Sequence, residues 1–413
     1  MINFINTNKK TLYLFDIIYF LIVNYLVFIL VKETAISLRT FDDEINSLAS
    51  NYNFFTTLNF DARPLIPGNY GTGLTSGPLS AVGGVIGWGL TKSILVSRIS
   101  NFYYIVILQL LFSYLLKKHY SFNFNKLIMF SIIQITLIPW WLGSLYSIGE
   151  FASTVIFVNS IILFPKKRQL SLLLFSSCII YGKFLLMLPF LAFYISYLII
   201  QILNKKKIEN IIKDISIFVV PFIIWYLLII FKTSFKYFLT YLSEFTGMVL
   251  YFDDAGLNTL NKFSIQNIIN QISSSEVSMW STASLVRISI VPILFGILLI
   301  RNREIIKKTF ELSFLPIFMT VFSTYIWFWL LSPQKYMRYT KHFTIIIVFF
   351  LFYFLILEMI EDRIDYLLIF ASISLFFSDL KLIIFFNLVI LLILFIIKNI
   401  GIKNIALRLS FLI

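Results

Sequence analysis

The sequence predicts an all-α polytopic membrane protein, with residues 1–413 forming a single transmembrane domain. Three observations predict it. Hydrophobic residues make up 59% of the chain and aromatic residues 18%, more apolar matter than one aqueous core can use. Charged side chains are only 13%, against the ~25% usual in soluble domains. The apolar residues fall in long runs, and most Lys and Arg fall in short clusters between them, the pattern of cytoplasmic loops.

The composition also excludes. Cys178 is the only cysteine, so the chain has no internal disulfide, and His119 and His342 are too few for a His/Cys metal cluster. A net charge of +14 would suit nucleic acid, but the basic residues sit where membrane topology puts them. The expected partner is therefore the lipid bilayer, not nucleic acid. Any chemistry must rest on carboxylates, Lys, Arg and hydroxyls.

Taken in order, Lys9-Lys10 precede an apolar run over 12–31, too long for a signal-peptide core, which reads as an uncleaved first span with a cytoplasmic N-terminus. An extracytoplasmic loop over 32–93 follows. Within it Ile45, Leu48, Tyr52 and Phe55 recur at helical spacing and predict an amphipathic interfacial helix over 45–58. Pro64, Pro67, Gly68, Gly71 and Gly73 mark a turn-rich section. The segment from Gly77 to Leu90 is apolar, yet crossing with it would put Lys117, Lys118 and Lys126 outside, so it reads as a juxtamembrane or dipping helix. Its Gly83-Gly84-x-x-Gly87-x-Gly89 follows no strand and reads as a helix-packing surface, not a phosphate loop.

Further apolar runs at 94–116, 127–144, 149–164, 170–185, 187–203, 213–231, 283–300, 310–331, 342–358, 365–378 and 382–398 bring the count to about twelve. Several are shorter than the ~20 residues of a standard span, and the Gly182/Lys183 junction reads as a turn between spans or a bend within one. Residues 232–282 form a second large extracytoplasmic loop, and 332–341 a short one. No soluble module is expected.

Asp42, Asp43 and Glu44 open the first outside loop. One reading is helix capping, since Thr40 to Asp43 fits the Ser/Thr-x-x-Asp/Glu pattern and acids favour a helix N-terminus. The other is catalysis, with one carboxylate as general base and its neighbour tuning it or holding the acceptor. Lys335, Arg338 and Lys341 cluster outside, and Lys183 and Arg287 lie at span ends, where cations bind a phosphate or snorkel to headgroups. Glu150 is a carboxylate at a span end. Asp253-Asp254 with Glu244 are solvated loop acids or a groove for an acceptor or divalent cation.

Asp43-Glu44 after the first span, Pro78-Leu79, Arg98, Ser147-Ile148-Gly149-Glu150, Tyr181-Gly182-Lys183 and Tyr336-Met337-Arg338-Tyr339 follow an order that resembles the polytopic GT-C glycosyltransferases, the superfamily of protein mannosyltransferases and lipid A aminoarabinose transferases. The likeness runs over residues 10–345. Gly77-Pro78 stands where that family has a double proline, and no counterpart of the family's C-terminal soluble domain is expected.

The resemblance implies a polyprenyl-linked sugar donor, a glycan or lipid acceptor and an extracytoplasmic active site in a bacterial inner membrane. It gives Asp43, with Glu44, the inverting base role, and makes Glu150 or Asp42 a second acid or acceptor ligand. Arg338, Lys183, Lys335, Lys341 and Arg287 become the donor-phosphate cations. Arg98 reads either as orienting the Asp-Glu pair or as a headgroup contact. The resemblance names no certain cofactor and leaves a divalent cation open. Two other expectations stand beside it: an O-antigen or capsule repeat-unit polymerase, and a flippase or transporter for lipid-linked sugars, which calls for charged or broken elements at mid-bilayer.

Overall fold

A computed structural model describes residues 9–40, 42–58, 77–120, 129–130, 133–134, 137, 144–147, 150–204, 211–251, 282–331 and 340–356. Among them all regular structure is helical: α1 (Lys9–Ser37), α2 (Asp42–Thr57), α3 (Pro78–Thr91), α4 (Ile94–Lys117), α5 (Glu150–Leu163), α6 (Arg168–Ile180), α7 (Met187–Leu203, entered through a 3-10 turn at Phe184–Leu186), α8 (Ile211–Lys232), α9 (Phe235–Tyr251), α10 (Thr282–Arg301), α11 (Arg303–Phe310), α12 (Phe314–Ile326, extended by a π-helical turn at Trp327–Leu331) and α13 (Lys341–Ile356).

Four of these are long and apolar enough to cross a membrane: the Phe20–Ser37 part of α1, α4, the stretch Phe184–Leu203, and α8. The bent pair α11–α12 makes a fifth if counted as one span. Apolar parts of α3, α5, α6, α10 and α13 are shorter. These helices are compatible with an integral membrane protein, whereas the expectation of about twelve spans is not reproduced among the described residues. The runs 365–378 and 382–398 lie outside them, and 127–144 lies partly outside.

Burial explains why apolar run length misleads here. All 14 residues of α5 are buried, so this helix is the hub of the bundle and nothing ties its length to bilayer thickness. Around it pack α3, α4, α6 and α13. A ring of buried side chains fastens two of them, α4 and α13, to α5: Tyr353 donates to Asn159 Oδ1, Asn159 Nδ2 to Gln109 Oε1 at 2.8 Å, and Gln109 Nε2 to the Tyr353 hydroxyl at 2.8 Å. In an apolar surround such side-chain bonds hold helices together where the hydrophobic effect cannot.

The contacts set helix directions. Asn101 near the start of α4 bonds the carbonyls of Ser144 and Tyr146, just before α5, and Tyr120 just past α4 bonds the carbonyl of Ile162 near the end of α5. The two helices therefore run parallel, from what is here named the Glu44 end to the Arg168 end. The α6–α7 junction at Tyr181–Lys183 is a reversal and not a bend within one span. Phe175 of α6 meets Phe190 and Phe193 of α7, while Phe164, just ahead of α6, meets Phe193 and Tyr197 further along α7.

The first loop departs from its predicted packing. Helix α2 starts three residues before and ends one residue before the predicted bounds, but its buried positions are Glu44, Ser47, Leu48 and Asn51, while Ile45 and Phe55 are exposed. A helix beside a bilayer can turn its polar side inward and leave apolar side chains out. The dipping segment is α3, folded back on α4 through Lys92 in the left-handed region (φ 56°). Its glycines let the two backbones touch: a Cβ on Gly83 would lie 2.8 Å from the Asn101 Cα and the Ser100 carbonyl oxygen, and one on Gly87 2.7 Å from the Val96 carbonyl oxygen.

Candidate functional site

The site is built around Arg98, one turn into α4 and buried together with its ion-pair partner. Its guanidinium carries five N–H donors in a rigid fork, and five acceptors face them. Nε donates to Glu44 Oε1 at 2.8 Å and Nη2 to Glu44 Oε2 at 2.7 Å. Nη1 donates to the carbonyls of Ala35 at 2.7 Å and Leu38 at 2.8 Å, and Nη2 also faces Thr40 Oγ1 at 3.5 Å. The Ala35 carbonyl belongs to the last turn of α1 and that of Leu38 lies one residue past it; the last C=O groups of a helix have no partner within it and its dipole favours a cation. A single side chain thus satisfies the end of one helix and the first turn of the next. The Tyr146 ring lies 5.0 Å from the guanidinium carbon, and its hydroxyl donates to the Arg39 carbonyl at 2.6 Å. Burial pushes the Tyr146 phenol above its ordinary pKa, so it remains a neutral donor.

The buried polar face of α2 continues the network. Ser47 donates to the Ser147 carbonyl at 2.5 Å, and Asn51 Nδ2 to the Ser47 carbonyl at 2.7 Å. Ser97 of α4 donates to the Gly84 carbonyl at 3.0 Å, and a Cβ on Gly84 would overlap Ser147 Oγ. The α1 end with the adjoining α2, the α3–α4 hairpin and residues 144–147, three regions distant in sequence, are therefore joined at one place.

A second junction lies at the start of α3. The Gly77 N–H donates to the Gly182 carbonyl at 2.7 Å and the Leu79 N–H to the Tyr181 carbonyl at 2.8 Å. The unpaired donors of one helix start thus meet carbonyls just past another helix end. Gly77 is required there, since a Cβ would lie 2.5 Å from the Tyr181 carbonyl. Phe54, Tyr181, Trp225 and Tyr241 join α2 to α8 and α9 in an aromatic cluster beside this junction.

Among the predicted site residues, Glu44 and Arg98 come together. Asp42 and Asp43 are the first two residues of α2, with side chains outside the described set. Glu150 opens α5 and is buried; one turn on, Ser153 packs against Gly182. Lys183 is half-buried in the turn after α6, its N–H on the Cys178 carbonyl at 2.9 Å. Lys335, Arg338, Asp253 and Asp254 lie outside the described residues, as do the side chains of Arg287, Lys341 and Glu244. Among the described residues no group of three or more His, Cys, Asp or Glu could hold a metal ion.

Sequence reasoning missed Tyr146, Ser47, Asn51 and the Phe54–Trp225 contact. The polar stripe Glu44, Ser47, Asn51 at helical spacing is the signal that marks the inward face of α2.

Chemically, Glu44 has both oxygens engaged by Arg98, which fixes the position of its carboxylate. Comparison of the chain with known protein families, with curated proteins and with solved structures finds no match.

Proposed function

We propose that the chain is a membrane glycosyltransferase that moves a sugar from a polyprenyl-phosphate-linked donor to an extracytoplasmic acceptor, in bacterial surface polysaccharide or glycolipid assembly. The Glu44–Arg98 bridge carries this reading. An Asp-Glu pair used only to cap α2 needs no buried arginine. Here one acid is clamped by a guanidinium that also grips the preceding helix, so the backbone of the adjacent Asp43 is held in a set place. Such division of labour suits one positioning acid and one reacting acid.

In this reading the Asp43 carboxylate takes the proton of the acceptor hydroxyl as its oxygen attacks the anomeric carbon. The bond from that carbon to the lipid phosphate breaks, its electron pair leaves with the phosphate, and configuration inverts. Lys183, with Arg338, Lys335, Lys341 and Arg287, would neutralise the departing phosphate, and Glu150 or Asp42 would hold the acceptor. The Glu44 end faces the extracytoplasmic side and the Arg168 end the cytoplasm.

The test is transfer from a polyprenyl-linked sugar donor in membranes by the wild type and by Asp43→Asn and Asp43→Ala. Loss of transfer at unchanged membrane abundance is expected, and substantial transfer by either variant would remove Asp43 from its role. Products longer by whole repeat units would move the assignment to a polymerase. A reporter fused after Lys117 should report cytoplasmic.

A further inference from the structure

The Arg168 end carries a surface that the proposed reaction does not use. Three segments meet there. The Tyr120 ring, just beyond α4, packs edge-on against Phe310 of α11 at 5.7 Å, and its hydroxyl bonds the Ile162 carbonyl of α5. Lys166, in the α5–α6 turn, pairs with Glu311 at the end of α11. These contacts bring Lys117 and Lys118, Lys166 and Lys167, and Arg303, Lys307 and Lys308 to one face, all exposed. Only Glu304 and Glu311 oppose them within these segments, beside Arg303 and Lys166 respectively.

Helix α11 gives the patch its orientation. It buries Ile306 and Phe310 in the bundle and exposes Arg303, Glu304, Lys307 and Lys308. It meets α12 at a bend of 105°, so it lies nearly across the direction of that helix. Where α12, continued by its π-helical turn, enters the bilayer, an amphipathic helix across it lies along the membrane surface, with its cations at headgroup depth.

We infer that this face is a binding surface for anionic phospholipid headgroups, with Lys117, Lys118, Lys167, Arg303, Lys307 and Lys308 contacting lipid phosphates. Charge complementarity and the in-plane placement of α11 argue for lipid over a soluble polyanion. The inference stands whether or not the chain transfers sugars.

The test uses the full chain purified in mild detergent, with retained phosphatidylglycerol and phosphatidylcholine counted by native mass spectrometry. Wild type should retain phosphatidylglycerol preferentially, and added salt should erase the preference. The variant Lys117→Gln/Lys118→Gln/Lys307→Gln/Lys308→Gln should lower it at least about tenfold, since each cation near an anionic surface contributes a few-fold. Lys232→Gln/Lys236→Gln, on exposed residues at the opposite end, should leave it unchanged. Equal retention of the two lipids by wild type would overturn the inference, and so would an undiminished preference in the folded quadruple variant. Displacement by glycerophosphoglycerol, the headgroup without acyl chains, at equal concentration would mark a soluble-phosphate site and overturn it too. Should the quadruple variant fail to fold, the wild-type salt titration and headgroup competition still decide.

Discussion

Each end of the bundle holds an Arg–carboxylate pair, and the two are built differently. At the Glu44 end Arg98 grips both oxygens of Glu44 and two main-chain carbonyls, with the two side chains 4% and 5% exposed. At the Arg168 end, Arg168 and the Tyr194 hydroxyl converge on one oxygen, Oδ2, of Asp214, with Phe164 and Tyr197 flanking the guanidinium and the side chains 17% and 9% exposed. The second arrangement fastens the starts of α6 and α8 to α7 and is open enough for water to help. The first orders backbone outside regular helices and leaves none of its donors for water. A buried pair seldom raises net stability over an apolar alternative, but breaking one is costly. The tighter pair therefore reads as a device for placing a chain segment.

That contrast can be broken in graded steps. Arg98→Leu strands Glu44 and the end of α1, and is expected to destabilise by about 3–5 kcal/mol. Unfolding in a detergent titration measures it, and Arg98→Lys should recover only part of the loss because an ammonium cannot make the fork. Arg168→Leu should cost about 1.5–3 kcal/mol in the same titration, the range for a charge-assisted hydrogen bond, because Tyr194 and water still serve Asp214. If both cost the same, the distinction between the two ends fails.

Gly83→Ala tests whether the Glu44 end depends on close backbone packing. The new Cβ meets main-chain atoms of α4 that cannot swing aside, and a cost of about 1–3 kcal/mol is expected. Lys166→Gln should be the mildest: its pair with Glu311 is 32% and 54% exposed, and pairs of this kind contribute at most about 1 kcal/mol.

Much of this was legible in the residues themselves. The long runs of α1 and α4 announce spans, and Ile45, Leu48, Tyr52 and Phe55 announce α2. The inward face of α2 was not legible from apolar periodicity, because that pattern assumes water outside, and beside lipid Ile45 and Phe55 are content to be exposed. The burial of α5 was equally hidden, since a short apolar helix looks alike whether lipid or protein surrounds it. Arg98 was legible as an orienting residue, but its choice of Glu44 depends on how α2 leaves α1. The α6–α7 reversal shows only in the aromatic pairs that cross it, while Tyr181-Gly182-Lys183 marks its place without its shape.

The division between a reacting and a positioning acid is tested most directly by measuring sugar transfer and unfolding together in Asp43→Asn and Glu44→Gln. The account predicts that Asp43→Asn keeps wild-type unfolding while transfer falls by about 10²–10⁴-fold, the usual worth of a general base, and that Glu44→Gln unfolds early. Near-normal transfer by a stably folded Asp43→Asn, or wild-type unfolding of Glu44→Gln, would contradict it.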